Sequence, residues 1–400
     1  MKKTIFFILD SSFPPITRFN RTLIGRARFL EKVIKEANLH ILARGTRNSQ
    51  EKYGRIIVHR IAFQRNTSIE RFGSVPERIW YTLKAFLFML NKGKDADLLI
   101  SMHFTANTIS FLLNLFLRKK YVCDMVDFAF DAHLAEVAKP GLLRKISSRV
   151  MECLECRIIP KFSNEVIVVS EMMKDILIRR YGIDGEKIHV LPEEIDPDVL
   201  KHSSRMNEKK VQDLRQKYGL IGKRVVMTSG FVNWLDRADL LIEAFEQLKQ
   251  RIPNLALVFV GDGDESFRAA VTKARDEDII VTGWLPRMNS YDLLHVADVC
   301  VITMEKRLAT DITYGSKLLD YIAFRKPVVC FNLETISKVV LGSRIGRVAQ
   351  RTDASELADK IADVLQDPSS IDQRAFERLI NDFSQFRTLA SYAGIIEKAL

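Results

Sequence analysis

The sequence predicts an α/β chain built as two tandem doubly wound parallel-sheet domains. Three observations carry that expectation. The chain is 400 residues long, which suits two domains of about 150 to 200 residues each better than one. Short β-rich runs alternate with amphipathic helical stretches, the pattern of parallel strands joined by crossover helices. A polar, aperiodic stretch, EEIDPDVLKHSSRMNEKK (193–210), interrupts that alternation once.

In the first series, TIFFIL, LHILAR, RIIVHRI, DLLISM, YVCDMV, EVIVVS and KIHVLP read as strands. RTLIGRARFLEKVIKEA, SVPERIWYTLKAFLFMLNKG and ANTISFLLNLFLRK read as helices between them. The opening MKKTIFFILDSSFPP mimics a short signal peptide, but its apolar run ends at Asp10 with no small-residue cleavage site, so it reads as a buried strand. AFLFML (85–90) and ISFLLNLFL (109–117) fall short of the roughly 20 apolar residues that span a bilayer, and no transmembrane segment is expected.

The second series runs RVVMTSG, the helix DLLIEAFEQLKQRIP, ALVFVGDG, a helix through 276, DIIVTG and the helix NSYDLLHVA. It continues through VCVITM, a helix opening at YGSK, PVVCF and GRVAQ. The expected boundaries are a first domain over 1–195, a linker over 196–210 and a second domain over 211–384. Two such domains in tandem leave a cleft, and in these folds ligands sit beyond the carboxyl ends of the strands.

Composition narrows the partners. Five scattered cysteines make no disulfide framework, which points to a reducing compartment. The lone CxxC, Cys153 and Cys156, falls in a helical stretch with no second pair at zinc spacing. The net charge of +11 is uneven: residues 1–150 hold 26 Lys and Arg against 12 Asp and Glu, whereas residues 151–400 hold 35 against 38. A basic first domain favours an anionic partner such as a membrane surface or a pyrophosphate-linked lipid. Nucleic acid is not expected, because no helix-turn-helix, zinc or aromatic-basic module is present.

Four loops that leave strands of the second series carry glycine: SGF (229–231), GDGD (261–264), TGW (282–284) and YGSK (314–317). Glycine there lets backbone approach a ligand closely, and a helix start offers its free N–H groups to a phosphate. The Asp-Gly-Asp of GDGD is a loop after a strand and is not read as a metal site. His103, at the end of DLLISM, either faces the cleft or is structural, and a lone histidine near a strand end is more often structural.

The order RVVMTSG, LLIEAFEQLKQRIPNLALVFVGDGD, DIIVTGWLP, LLHVADVCVITM and YGSKLLDYIAFRKPVV resembles the sugar-nucleotide-binding half of family 4 glycosyltransferases of the GT-B fold. ADLLISMHF, NEVIVVSEMMKDIL and KIHVLPEEIDPDVL extend the likeness through the first half, with a proline pair after strand one (FPP). The resemblance implies two Rossmann-like domains, with DFSQFR opening a terminal helix, about 385–400, that rejoins the first. Gly230, Gly261, Gly283 and Gly315 then line the donor pocket. Ser316 and Lys317 meet the diphosphate, and Asp320 accepts hydrogen bonds from the ribose hydroxyls. Trp284 stands where the family loop contacts the base, or serves packing alone.

Departures from the family pattern are specific. The first glutamate of its E-x7-E spacing falls on Ile312, with Asp311 beside it as the substitute. The arginine and lysine that follow the first glycine fall on Phe231 and Asp236, leaving Arg237 as the nearest cation for the phosphate. In the first half the glycine pair becomes Thr17 and Arg18, the His-Asp pair becomes Val126 and Asp127, and the asparagine and glycine after LP become Glu193 and Glu194. The candidate catalytic set is therefore Asp127, Arg237, Lys317 and Asp311.

The resemblance implies retaining, metal-independent sugar transfer without a cofactor, from a nucleoside diphosphate sugar to a glycan or lipid-linked acceptor. Cell-surface polysaccharide or glycolipid synthesis is the expected setting, in the cytoplasm against the inner face of the cell membrane. Electrostatic stabilisation of the leaving diphosphate, with domain closure excluding water, is the expected source of rate. The cation-edged apolar helices RIWYTLKAFLFMLNKGK and FLLNLFLRKK suit an anionic membrane surface, though both also read as core helices with solvated ends, the second more so than the first. Two alternatives share the fold. A sugar-nucleotide 2-epimerase needs acid and base carboxylates that find no matching set here. A homologue that binds nucleotide sugar without turnover, or supports a partner transferase, is motivated by Ile312, Phe231 and Asp236.

Overall fold

KTIFFILDSS makes a central strand because Ile5 to Leu9 are apolar on both faces and all are buried. A run without alternation suits a strand covered on both sides by helices. The computed structural model describes residues 2–12, 18–34, 37–63, 75–135, 137, 139–205 and 207–400. The proline pair of FPP and Thr17 lie outside the described residues. The chain divides into two compact units, Met1–Pro192 with Thr388–Leu400, and Glu193–Arg387.

Among the described residues the first unit holds eight strands: β1 (Lys3–Ser12), β2 (Ala37–Gly45), β3 (Ser49–Tyr53), β4 (Ile56–Ala62), β5 (Leu98–Met102), β6 (Lys120–Met125), β7 (Glu165–Val168) and β8 (Ile188–Val190). Their order is β3-β4-β2-β1-β5-β6-β7-β8. All pairs are parallel except β3 with β4. The strand β3, SQEKY, was not among the expected elements. It is short, polar and mostly exposed, and it blunts the sheet edge as such strands do. The terminal helix Gln385–Ala399 buries Tyr392 beneath the Arg26 guanidinium, 4.9 Å from the ring centre. Lys398 pairs with Glu165 at 3.1 Å.

The second unit holds β9 (Arg224–Ser229), β10 (Leu255–Val260), β11 (Ile279–Val281), β12 (Val299–Ile302), β13 (Val328–Phe331) and β14 (Gly346–Ala349). All pairs are parallel, in the order β11-β10-β9-β12-β13-β14. Numbered within the unit this is 3-2-1-4-5-6, the dinucleotide-fold order, in which the order of successive strands reverses between β9 and β12. Ligands of such sheets bind outside the carboxyl ends at that point.

The expected linker, 196–210, is not irregular. Asp196 caps the helix Pro197–Ser203 by accepting the Asp198 N–H at 2.9 Å, and Pro197 occupies its first turn. Asn207 caps Glu208–Lys217 the same way through the Lys210 N–H. Capping residues read as polar linker in sequence because their oxygens serve backbone rather than solvent. The stretch RVMECLECRIIP is helical, with a π-helical turn over Cys153–Ile158. Among the described residues no helix is long and apolar enough to cross a membrane.

Candidate functional site

The loop after β9 turns at Gly230, with φ +102°, a backbone that L side chains rarely adopt. Its carbonyl oxygen abuts Gly261, the residue after β10, where an added Cβ would lie 2.3 Å away. Gly261 itself has φ +138°. The Gly230 N–H donates to the Val260 carbonyl at 2.9 Å, and the Gly261 N–H to Thr282 Oγ1 at 3.1 Å. Two strand ends thus lie backbone to backbone, because neither glycine carries a side chain to hold them apart.

The helix Gly315–Ala323 starts at the same end of the sheet. Gly315 has φ +68°, and no side chain caps the helix start. Uncapped first-turn amides point toward a ligand site and carry the positive end of the helix dipole. Leu318, Leu319, Tyr321 and Ile322 bury its apolar face. The Tyr321 hydroxyl accepts the Ser229 N–H at 3.1 Å, which ties this helix to the end of β9.

These elements enclose a cavity of about 400 Å³. Of the residues singled out in the sequence, Gly230, Phe231, Gly261, Trp284, Ser316, Lys317 and Asp320 line it, whereas Gly283 and Gly315, expected there, do not. Sequence reasoning missed Arg287 and Tyr291, which also line it. The Arg287 guanidinium sits over the Tyr291 ring at 5.4 Å and pairs with Asp196. The Tyr291 hydroxyl stands 3.5 Å from Asp320 Oδ2. Their signal was faint: Arg287 and Tyr291 lie in PRMNSY, directly after the TGW loop.

The mouth carries an aromatic pair. Phe231 and Trp284 stack with ring centres 6.0 Å apart and planes 10° from parallel. They are 46% and 69% exposed. Gly283, just before Trp284, has φ +66° and open space where a Cβ would sit, so its backbone angle explains the glycine.

The cations are already engaged. Lys317 pairs with the buried carboxylate of Asp236. Asp236 closes a capping box, its Oδ2 accepting the Asn233 N–H at 3.0 Å. Arg237 does not line the cavity. It grips Asp239 through two nitrogens at 3.0 and 2.9 Å and Glu305 at 2.9 Å, and its hydrogen bonding to Asp239 raises its pKa further. Asp311 is likewise outside the lining. It accepts the Glu334 N–H at 2.9 Å, anchoring the start of the helix Glu334–Gly342, and burial raises its carboxyl pKa. Ile312 is fully buried.

Asp127 belongs to the first unit, after β6. Burial pushes its carboxyl up, opposed by His103, and Asp10 adds to the rise. Glu155 from the π turn accepts the Ala129 and Phe130 N–H groups at 3.0 and 3.1 Å, and burial pushes it up to about 8. His103 has φ +69°. Among the described residues no group of three or more His, Cys, Asp or Glu could hold a metal.

Residues 222–367 match the family model described as glycosyl transferases group 1, and residues 27–199 match glycosyltransferase family 4. The alpha-D-kanosaminyltransferase of Streptomyces kanamyceticus is 22% identical over 207 residues, 51% of each chain. The GDP-mannose-dependent alpha-(1-6)-phosphatidylinositol monomannoside mannosyltransferase of Mycolicibacterium smegmatis is 28% identical over 160 residues, 39% of this chain and 42% of that one. The chain thus spans about half the length of the curated relatives it matches. Among solved structures, sucrose-phosphate synthase from Thermosynechococcus elongatus superposes with TM-score 0.75 at 16% identity, over 99% of this chain and 98% of that one. Anabaena HepE in complex with UDP-glucose gives 0.69 at 14% identity, over 98% and 99%.

Proposed function

The chain belongs to the group 1, family 4 glycosyltransferases of the GT-B fold, and from that premise we propose that it moves a sugar, with retention, from a nucleoside diphosphate sugar to a glycan or lipid-linked acceptor. One observation carries the reading. Ser316, Lys317 and Asp320 line the cavity beyond the carboxyl ends of β9 and β10, beside two glycines that leave backbone bare. A cation at an uncapped helix start suits a diphosphate, and a carboxylate one turn on suits ribose hydroxyls, because it only accepts. The likeness to HepE in complex with UDP-glucose supports a donor of this class.

In this reading the departing diphosphate gathers negative charge beside Lys317 and the helix amides, so the barrier falls mainly by electrostatics. Lys317 exchanges the Asp236 carboxylate for phosphate oxygen as the donor enters. Asp320 holds the ribose, and the Phe231–Trp284 pair meets the base. No metal or other cofactor takes part. Where the acceptor is lipid-linked, it is met at the inner face of the cell membrane. The helix Val75–Lys92 supports this by exposing Ile79, Trp80, Leu83 and Leu87.

The test is a thermal-stability screen of nucleotide sugars, followed by transfer with Lys317→Ala as control. A ligand at 100 times its Kd stabilises by about 2.7 kcal/mol, enough to read as a shift in Tm. Loss of Lys317 in the enzyme should lower the rate on the order of 10²–10³-fold, the scale of a lost oxyanion donor. No stabilisation by any nucleotide sugar would sink the reading. Binding without turnover would favour the non-catalytic homologue, which the engaged Arg237 and buried Ile312 support.

A further inference from the structure

The helix Leu142–Glu152 is mounted with its polar side inward. Ser148 Oγ donates to the Phe130 carbonyl at 2.9 Å and is buried. Arg144 donates to the His133 carbonyl at 2.9 Å, and Ser147 Oγ lies 3.0 Å from His133 Nε2. The outward side is apolar: Leu142, Leu143, Ile146 and Val150 are 74%, 84%, 51% and 56% exposed. At 3.6 residues per turn these four share an arc of about 100°. A helix of a water-soluble surface is built the other way round.

Charge says what covers this stripe. Lys145 and Arg149 are exposed on the same helix, and Lys139 just before it. By helical spacing Lys145 and Arg149 both lie along one edge of the arc of apolar side chains. They sit in the stretch of chain, 1–150, where Lys and Arg outnumber Asp and Glu 26 to 12. Apolar residues edged by cations match a bilayer interface, whose acyl boundary takes the apolar side chains while anionic headgroups take the ammonium and guanidinium groups. We infer that the helix Leu142–Glu152 is a docking element for an anionic lipid surface, seated by Leu142, Leu143, Ile146 and Val150 and oriented by Lys145 and Arg149. This deepens the lipid-linked acceptor reading above, on which it rests.

The experiment is co-sedimentation of the full chain with vesicles of phosphatidylcholine alone or mixed with phosphatidylglycerol. The parent should bind the mixed vesicles and prefer them. The double variant Leu142→Glu/Leu143→Glu should lose at least about tenfold in partitioning, since each buried leucine contributes roughly that factor. Glutamate is favoured in the first turn of a helix, so the helix should persist. The variant Lys145→Glu/Arg149→Glu should lose the preference for phosphatidylglycerol. Unchanged partitioning of the leucine variant, or no vesicle binding by the parent, would overturn the assignment. A parent dimer in light scattering that the leucine variant converts to monomer would overturn it too, and assign the stripe to a second copy. Donor-induced stabilisation, measured on the same variants, reads the sugar-nucleotide site separately. Its absence alongside intact vesicle binding would count against that site and not against this surface.

Discussion

Lys317, which lines the cavity beyond β9 and β10, forms an ion pair with Asp236, with side chains 17% and 10% exposed. If Lys317 serves the diphosphate of a nucleotide sugar, this carboxylate holds it until the ligand arrives. In that reading donor binding breaks the pair, and breaking it opposes affinity. The variant Asp236→Asn should bind the nucleoside diphosphate more tightly, by about tenfold or ~1.4 kcal/mol. The ligand-free variant should melt at lower temperature, because it leaves the ammonium half-buried without its partner. Calorimetric titration and melting curves read both. Weaker binding in Asp236→Asn would mean that the carboxylate positions Lys317 rather than restrains it.

Asp320 offers a separate readout. A carboxylate that holds ribose hydroxyls contributes about 1.5–3 kcal/mol through charged hydrogen bonds. Asp320→Asn should raise donor KM by roughly ten- to a hundredfold while kcat changes less. Equal loss of kcat and kcat/KM would move its role to the transition state.

The Phe231–Trp284 stack is exposed, so trimming it should cost the fold little. If the pair meets the base, Trp284→Ala should weaken nucleotide binding by ~1–3 kcal/mol, the range for base–aromatic stacking. Tm without ligand should stay within a degree or two of the parent, since surface changes fall within about ±0.5 kcal/mol. Unchanged affinity would reduce Trp284 to packing.

Gly261 tests the backbone contact. An alanine there meets the Gly230 carbonyl at 2.3 Å, and φ +138° suits no L side chain. Gly261→Ala should lower Tm and abolish donor-induced stabilisation together. Retention of both would show that the two loops can part without cost.

His59 makes stability depend on pH. His40 Nδ1 and His59 Nε2 lie 2.9 Å apart, stacked beside Phe6. Burial, with smaller contributions from His40 and Lys92, lowers the His59 pKa from 6.5 to about 4. Between those values the unfolded chain binds more protons than the folded one, so stability is full above pH 6.5 and declines as pH falls toward 4. His295 in the second unit shares the direction, lowered to about 4 mainly by burial. Melting curves from pH 7 to pH 4.5 should show the decline, and His59→Gln should make it shallower. A flat profile in the parent would refute the coupling.

The sequence alone determined what near neighbours decide. Buried strands announce themselves by unbroken apolar runs such as TIFFIL and ALVFVG, and the ends of β9, β10 and β11 by glycine, because one residue's backbone angles are local. Gly230 and Gly261 were legible for that reason, whereas Ser316, Lys317 and Asp320 were singled out by the resemblance of YGSKLLDYIAF to the family's helix. Tertiary structure decided whatever joins residues far apart in the chain. Asp236 meets Lys317 across 81 positions, and Arg237 meets Glu305 across 68. Asp311 turns from a candidate catalytic acid into an anchor for Glu334, 23 residues on. The helix Leu142–Glu152 has an amphipathic pattern that looks the same whichever side faces inward. Only the positions of the Phe130 and His133 carbonyls, which claim its serine and arginine, decide that the leucines point to solvent.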